Sequence, residues 1–267
     1  MIAEVNGTRL YYEVAGSGHP LVLIHGSTLD TRMWDEQFEV FARSYRVIRY
    51  DARGFGKSAL PAEADYVPAD DLNALLGFLG IARAHLLGLS MGGAIAINLA
   101  LTRPRMTGAL ILVDARPEGW HASSGLGTPS SAIASRAREN RMEEAKRLWL
   151  NSPLFAPARE RPAARSRLEA IISDYSGWHW VNRNPVRRLE PPALQRLEEI
   201  MAPTLILVGE RDLPDFHAIA ETMRRRIPNA RKTVLPAVGH LPPMEDPGSF
   251  NQIVLSFLRE ISGPPGE

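Results

Sequence analysis

Residues 84–93, AHLLGLSMGG, constrain the fold more than any other stretch of this 267-residue chain. An apolar run over 84–89 meets a helical pattern over 91–101 with only Ser90 between them. A strand that becomes a helix across one residue forces strained backbone angles on that residue, and side chains two positions to either side would collide. Gly88 and Gly92 remove the collision. Gly92, Gly93 and Ala94 then let the helix lie close on the sheet. The pattern, G-x-S-x-G, is not specific by spacing alone, since three fixed residues recur by chance in roughly one chain in ten of this length. Its setting gives it weight: a strand, a sharp turn and a helix, with the serine hydroxyl raised at the apex.

Other strand candidates fall at residues 21–24, 46–50, 109–113, 204–208 and 232–235, after a hairpin within residues 1–14 that turns at Asn6-Gly7. Helical patterns at 34–42, 68–79 and 91–101 separate them. The last helix places Phe250, Ile253, Val254, Phe257, Leu258 and Ile261 on one face. Strands alternating with helices predict an α/β fold whose mostly parallel sheet is covered on both faces. Residues 115–200 break the rhythm: no strand pattern occurs there, and helices are expected at 131–150 and 161–175. The expected organisation is a core of residues 1–114 and 201–267 with a helical cap insertion at 115–200. Four of the five tryptophans, Trp120, Trp149, Trp178 and Trp180, lie in the insertion. A cap over the carboxyl edge of a sheet, rich in aromatic residues, predicts an apolar pocket. Trp178 and Trp180 lie two apart, so one is expected to enter the pocket and the other to pack outward, with Trp149 as a further lining residue.

Composition excludes several classes of function. Lys and Arg number 31 against 30 Asp and Glu, giving a net charge of +1 without long runs of one sign, which speaks against nucleic-acid or polybasic membrane binding. There is no cysteine, hence no disulfide framework, thiolate catalysis or Cys-ligated metal. The chain opens directly on strand-like alternation and has no apolar run near the ~18 residues of a membrane span. A cytoplasmic protein is the expectation.

A serine hydroxyl needs a general base and an acid to orient that base. His240 follows the last strand candidate after a short glycine-containing loop, at the edge where Ser90 is expected. Of the other histidines, His19 and His85 adjoin strand starts, His25 sits in the loop after residue 24, and His121, His179 and His217 lie in the insertion or a helix. The acid should follow strand 204–208, where Asp212 reaches farthest past the strand. Glu210 and Asp215 are neighbouring alternatives, and Asp114, ending an earlier strand, is another. His25-Gly26-Ser27-Thr28 turns tightly after its strand, so the backbone N–H of Ser27 can face the nucleophile beside that of Met91 as an oxyanion hole. His25 is expected to pin that loop. The run Asp51–Ser58 ends in Gly-Lys-Ser but lacks the glycine five residues before Gly56 that a phosphate loop needs; Asp51 and Arg53 are expected to brace loops.

With Leu23-Ile24-His25-Gly26, the 51–58 loop, Gly88–Gly93, Gly209–Asp212 and Gly239-His240 in this order, the chain resembles the α/β-hydrolase superfamily. Residues 31–37 and 240–245 look like the branch of 3-oxoadipate enol-lactonases and small carboxylesterases. The resemblance implies a serine hydrolase of carboxylic esters or lactones, with catalytic Ser90, Asp212 and His240 and no metal or organic cofactor. The implied partner is a small-molecule substrate, and a homodimer is compatible with it. Leu241, directly after the histidine, joins the expected substrate contacts. Dehalogenases and epoxide hydrolases carry an aspartate where Ser90 stands. Carbon–carbon hydrolases of aromatic ring-cleavage pathways usually carry Trp where Leu241 stands. Cofactor-free perhydrolases share the triad, and some superfamily members keep it while acting as ligand-binding receptors.

Overall fold

The computed structural model describes residues 1–120 and 131–262. His121 therefore lies outside the described residues. Eight strands form one sheet in the order β1-β2-β4-β3-β5-β6-β7-β8. β1 (Ile2–Val5) and β2 (Thr8–Ala15) make the expected hairpin, with Asn6 at φ 46° and Gly7 at φ 67° in its turn. β2 lies antiparallel to β4 (Arg46–Tyr50), and every later pairing is parallel, through β3 (Pro20–Ile24), β5 (Ala84–Leu89), β6 (Thr107–Val113), β7 (Thr204–Gly209) and β8 (Ala230–Leu235). Every residue of β5, β6 and β7 is buried, as required of strands covered on both faces.

Helices α1 (Asp35–Ala42), α2 (Pro68–Phe78) and α3 (Met91–Thr102) follow the expected patterns within two residues. Between β6 and β7 come α4 (Ser131–Arg138), α5 (Met142–Leu150), α6 (Ala156–Arg159), α7 (Pro162–Asp174) and α8 (Trp178–Val181). The single helix expected at 131–150 is two. Asn140 takes φ 60°, and Arg141 N–H closes back on Arg136 O at 2.9 Å. That left-handed residue with a 6→1 bond is a helix stop that apolar spacing cannot reveal. α9 (Pro214–Arg226), α10 (Pro242–Glu245) and α11 (Pro247–Ser262) complete the chain. α11 buries Phe250, Val254, Phe257 and Leu258, and Phe250 meets Trp34 at 6.3 Å between ring centroids.

The connections position the site. From β3 the chain crosses to β4 on one side, and β5 then returns to the other side of β3. Chain turns leaving neighbouring strands in opposite senses open a crevice beyond their carboxyl ends. The loops after β3 and β5 meet there, because Ile24 pairs with Gly88 in register.

Candidate active site

Ser90 stands between β5 and α3 at φ 52° and ψ −108°, outside the helical and extended regions. A Cβ on Gly88 would overlap the Gly92 carbonyl, and a Cβ on Gly92 would overlap the Ile24 carbonyl. Both glycines are therefore required by the close approach of turn and sheet. Ser90 N–H donates to Val113 O at 2.9 Å, which ties the apex to β6. Among the described residues, the Ser90 hydroxyl has no hydrogen-bond partner, and the N–H groups of Ser27 and Met91 have no acceptor. All three residues line one cavity of about 430 Å³.

The loop after β3 is pinned as expected. Ala52 N–H donates to His25 Nε2 at 2.9 Å, so Nδ1 bears the proton and donates to Gly26 O at 2.8 Å. Asp51 accepts from the N–H groups of Thr31 and Lys57 at 2.7 and 2.8 Å. Arg53 forms a buried two-pronged pair with Asp71 at 2.6 and 2.9 Å.

His240 Nδ1 contacts Asp212 Oδ2 at 2.8 Å, and both side chains are buried. Asp212 Oδ1 accepts from Leu213 N–H at 2.7 Å. The structure thus brings Asp212 to His240. Glu210 instead accepts from Ala237 N–H at the surface. Asp114 is also close: donor atoms of Asp114, Asp212 and His240 lie within 4.8 Å of one another. Tetrahedral coordination at ~2.1 Å to each atom would hold Nδ1 and Oδ2 about 3.4 Å apart, whereas a separation of 2.8 Å fits a proton shared between them. Glu245, which the sequence reading passed over, clamps the histidine loop by accepting from Gly239 and Leu241 N–H at 2.6 and 2.9 Å. Burial raises its carboxyl above the usual range, while those two N–H groups oppose the shift. Arg161, just before α7, donates to the carbonyls of Glu245 and Ala237 at 2.8 and 2.7 Å and so joins the insertion to the same loop.

The insertion contributes part of the cavity wall, and the lining corrects several expectations. Trp180 lines the cavity and Trp178 does not, so one ring of the pair enters. Trp149 is absent from the lining: its Nε1–H donates to Thr28 Oγ1 at 2.7 Å, making it a strut between α5 and the loop after β3. Leu241 is fully buried beneath the site and also absent from the lining. Trp120 is present, as are Phe55, Tyr175 and His179, whose rings stack, with Phe55 and His179 at 4.3 Å and 11° between planes. Burial lowers the His179 imidazole to about 4. The wall is also more polar than expected, since Arg53, Asn98, Arg116, Glu118 and Arg188 contribute to it. Asp71 offsets the Arg53 charge, whereas burial first and the neighbouring Arg188 second lower the Arg116 guanidinium.

The model of the alpha/beta hydrolase family matches residues 21–253. The chain belongs to that family. It is 30% identical to the 2-hydroxy-6-oxo-6-phenylhexa-2,4-dienoate hydrolase of Burkholderia cepacia over 277 aligned positions, covering 94% of this chain and 91% of that protein. Among solved structures it is similar to a thermophilic esterase from Thermogutta terrifontis, at 28% identity and TM-score 0.82 over 98% of this chain and 100% of that one. It is also similar to the enol-lactonase from Burkholderia xenovorans LB400, at 25% identity and TM-score 0.80 over 97% and 99% of the two chains. The relatives of this alpha/beta hydrolase thus span ester, lactone and carbon–carbon bond hydrolases.

Proposed function

We propose that the protein is a serine hydrolase that cleaves a carboxylic ester or lactone through an acyl-enzyme. The contact that carries the reading is His240 Nδ1 to Asp212 Oδ2 at 2.8 Å, beside a cavity whose lining includes Ser90. With Nδ1–H given to Asp212, Nε2 is the atom left to accept a proton. Ser90 Oγ attacks the substrate carbonyl as its proton passes to Nε2. The oxyanion of the tetrahedral intermediate accepts from the N–H groups of Ser27 and Met91, each such donor contributing about 3 kcal/mol. The intermediate collapses, the C–O bond breaks, and Nε2–H protonates the leaving alcohol. Water then gives its proton to Nε2 and attacks the acyl-enzyme, and the second collapse passes that proton to Ser90 Oγ, freeing the serine and the carboxylic acid. The unpaired Ser90 hydroxyl agrees with a hydrogen bond that aligns only when substrate enters.

The cavity favours substrates with oxygen acceptors remote from the reacting carbonyl. Arg116 and Arg188 line it, and among the described residues the buried Nε1–H groups of Trp120 and Trp180 meet no acceptor. Buried donors without partners are costly unless a ligand or water meets them. The carbon–carbon hydrolase relatives keep the second reading, cleavage of a vinylogous diketone, in play through the same serine. Steady-state turnover of p-nitrophenyl acetate and butyrate, set against lactones and a vinylogous diketone, ranks the two. A fluorophosphonate probe should label Ser90 alone, and Ser90→Ala should abolish both labelling and turnover while melting normally. A single slow burst in place of turnover would mean a ligand-binding receptor, and labelling elsewhere would sink the assignment.

A further inference from the structure

Asp114 ends β6 with φ 42°, and its N–H donates to Leu207 O of β7 at 2.9 Å. Its side chain is sealed from water. Oδ1 accepts from Gly209 N–H at 3.2 Å, whereas Oδ2 meets no N–H or O–H donor among the described residues. The neighbouring side chain is the Asp212 carboxyl, itself an acceptor. Asp114 is 3% exposed and Asp212 8%, so neither charge is shielded by solvent. Glu245 adds a third buried acid, and among the described residues no Lys or Arg pairs with the Asp114 carboxyl.

Two buried carboxylates this close do not both ionise, and the one with better donors keeps the charge. Asp212 receives N–H groups at 2.7 and 2.8 Å, against one at 3.2 Å for Asp114. Burial first, then the charge and hydrogen bond of Asp212, lift the Asp114 carboxyl well above the usual carboxylate range. A proton on Oδ2 removes both difficulties. It satisfies the orphaned oxygen and leaves one negative charge on the pair.

We propose that Asp114 is a neutral carboxylic acid whose Oδ2–H donates to the Asp212 carboxylate, so that Asp212 is fixed by three donors while it orients His240. Asp114 is then a positioning residue that acts through Asp212. An O–H donor to a carboxylate forms a short, charge-assisted bond. Replacement by Asn keeps this arrangement, because the amide oxygen can face Gly209 N–H while the amide N–H faces Asp212. Replacement by Ala removes the donor.

The first test is infrared difference spectroscopy of the resting protein, parent minus Asp114→Asn, in D2O at neutral pH. The C=O band of an unionised carboxyl group should appear in the parent and be lost in the variant. Loss of carboxylate bands instead would overturn the proposal. The second test is kinetic and rests on the Ser90–His240–Asp212 reading. Asp114→Asn should keep kcat within about threefold, and Asp114→Ala should lose about tenfold or more with KM little changed, the range of one charge-assisted bond. Equal loss in both variants would place the working charge on Asp114, and parental kcat in Ala would make it a structural residue; either sinks the idea. Should Ala fail to fold, the spectrum and the Asn variant decide. The spectrum needs no turnover, so it stands or falls apart from the triad, which Ser90→Ala tests alone.

Discussion

Replacing Asp212 with Asn exposes how this site controls its histidine. Each Asp212 oxygen receives an N–H, from Leu213 at 2.7 Å and from His240 Nδ1 at 2.8 Å. An amide has one oxygen and must set its NH2 against one of these donors. Turned toward Leu213, the NH2 confronts a backbone N–H that cannot change its role, which costs about 1–3 kcal/mol plus the lost bond. Turned toward His240, it is accommodated if the imidazole moves its proton from Nδ1 to Nε2. The second arrangement wins, and it blocks the atom that takes the serine proton in the proposed mechanism. The charge that stabilises the imidazolium is lost as well, a pair interaction of about 4 kcal/mol for unit charges ~4 Å apart at an effective dielectric of 20. Together these give a fall in kcat of about 10³ to 10⁴, or ~4–5.5 kcal/mol, in line with the same substitution in a serine protease triad.

The assay is kcat on saturating p-nitrophenyl butyrate, with Glu210→Gln as control. Among the described residues Glu210 accepts only from Ala237 N–H, and a glutamine oxygen does the same, so the control should stay within about threefold. An Asp212→Asn enzyme that keeps more than about a tenth of kcat would refute the tautomer argument. So would a control that falls equally far.

Trp180→Ala should reorder the preference among ester chain lengths, with about 1–3 kcal/mol lost in kcat/KM on the preferred substrate, while Trp178→Ala should leave the order intact; the reverse ranking would put the wrong ring in the cavity. Arg188→Ala should weaken kcat/KM for p-nitrophenyl esters whose acyl chain ends in a carboxylate by about 1 kcal/mol, and leave neutral esters unchanged. A uniform loss across both sets would refute a charge contact. Burial holds the His85 and His179 imidazoles down at about 4, so the unfolded chain binds more protons than the folded one between roughly pH 6.5 and 4. Stability should therefore be full above that window and fall as pH drops through it, by up to about 3 kcal/mol per histidine; His85→Gln should flatten the fall of Tm, and an unchanged slope would contradict it.

The parts of the fold set by local rules were legible in the sequence. Asn6-Gly7 demands a turn, Gly88 and Gly92 flank a strained serine, and fully apolar runs can only be covered strands. The contact between Asp212 and His240 was legible because chain order and strand ends limit where such a pair can meet. The cavity wall was not. Its residues come from positions as distant as Ser27, Arg116, Tyr175 and Phe216, and no local pattern says which side of an insertion faces inward. Tryptophan composition misled for the same reason: Trp149 finds its acceptor, Thr28, 121 residues away and becomes a strut. Asp114 was weighed as a substitute for Asp212, whereas the two stand together, a relation visible only once β6 and β7 are adjacent.

The bracing contacts bear directly on the proposed chemistry. An oxyanion hole contributes to rate only if its donors are already aimed before charge develops. Ser27, one of the two proposed donors, lies in a loop with no secondary structure of its own, flanked by Thr28 at φ 63°. Left alone, such a loop would have to be ordered in each turnover. Here the residue before Ser27 is held by His25 through Gly26 O, and the residue after it by Trp149 through Thr28 Oγ1. Asp51 fixes Thr31 farther along. Two of those anchors, His25 and Asp51, belong to the sheet edge, and the third comes from the insertion. The insertion therefore does more than shape the cavity: through Trp149 it holds one proposed oxyanion donor, and through Arg161 the loop of the proposed base. Changes in the insertion that shift α5 or the start of α7 should then alter kcat although neither helix lines the cavity, because Trp149 and Arg161 hold the loops that carry the proposed acting groups.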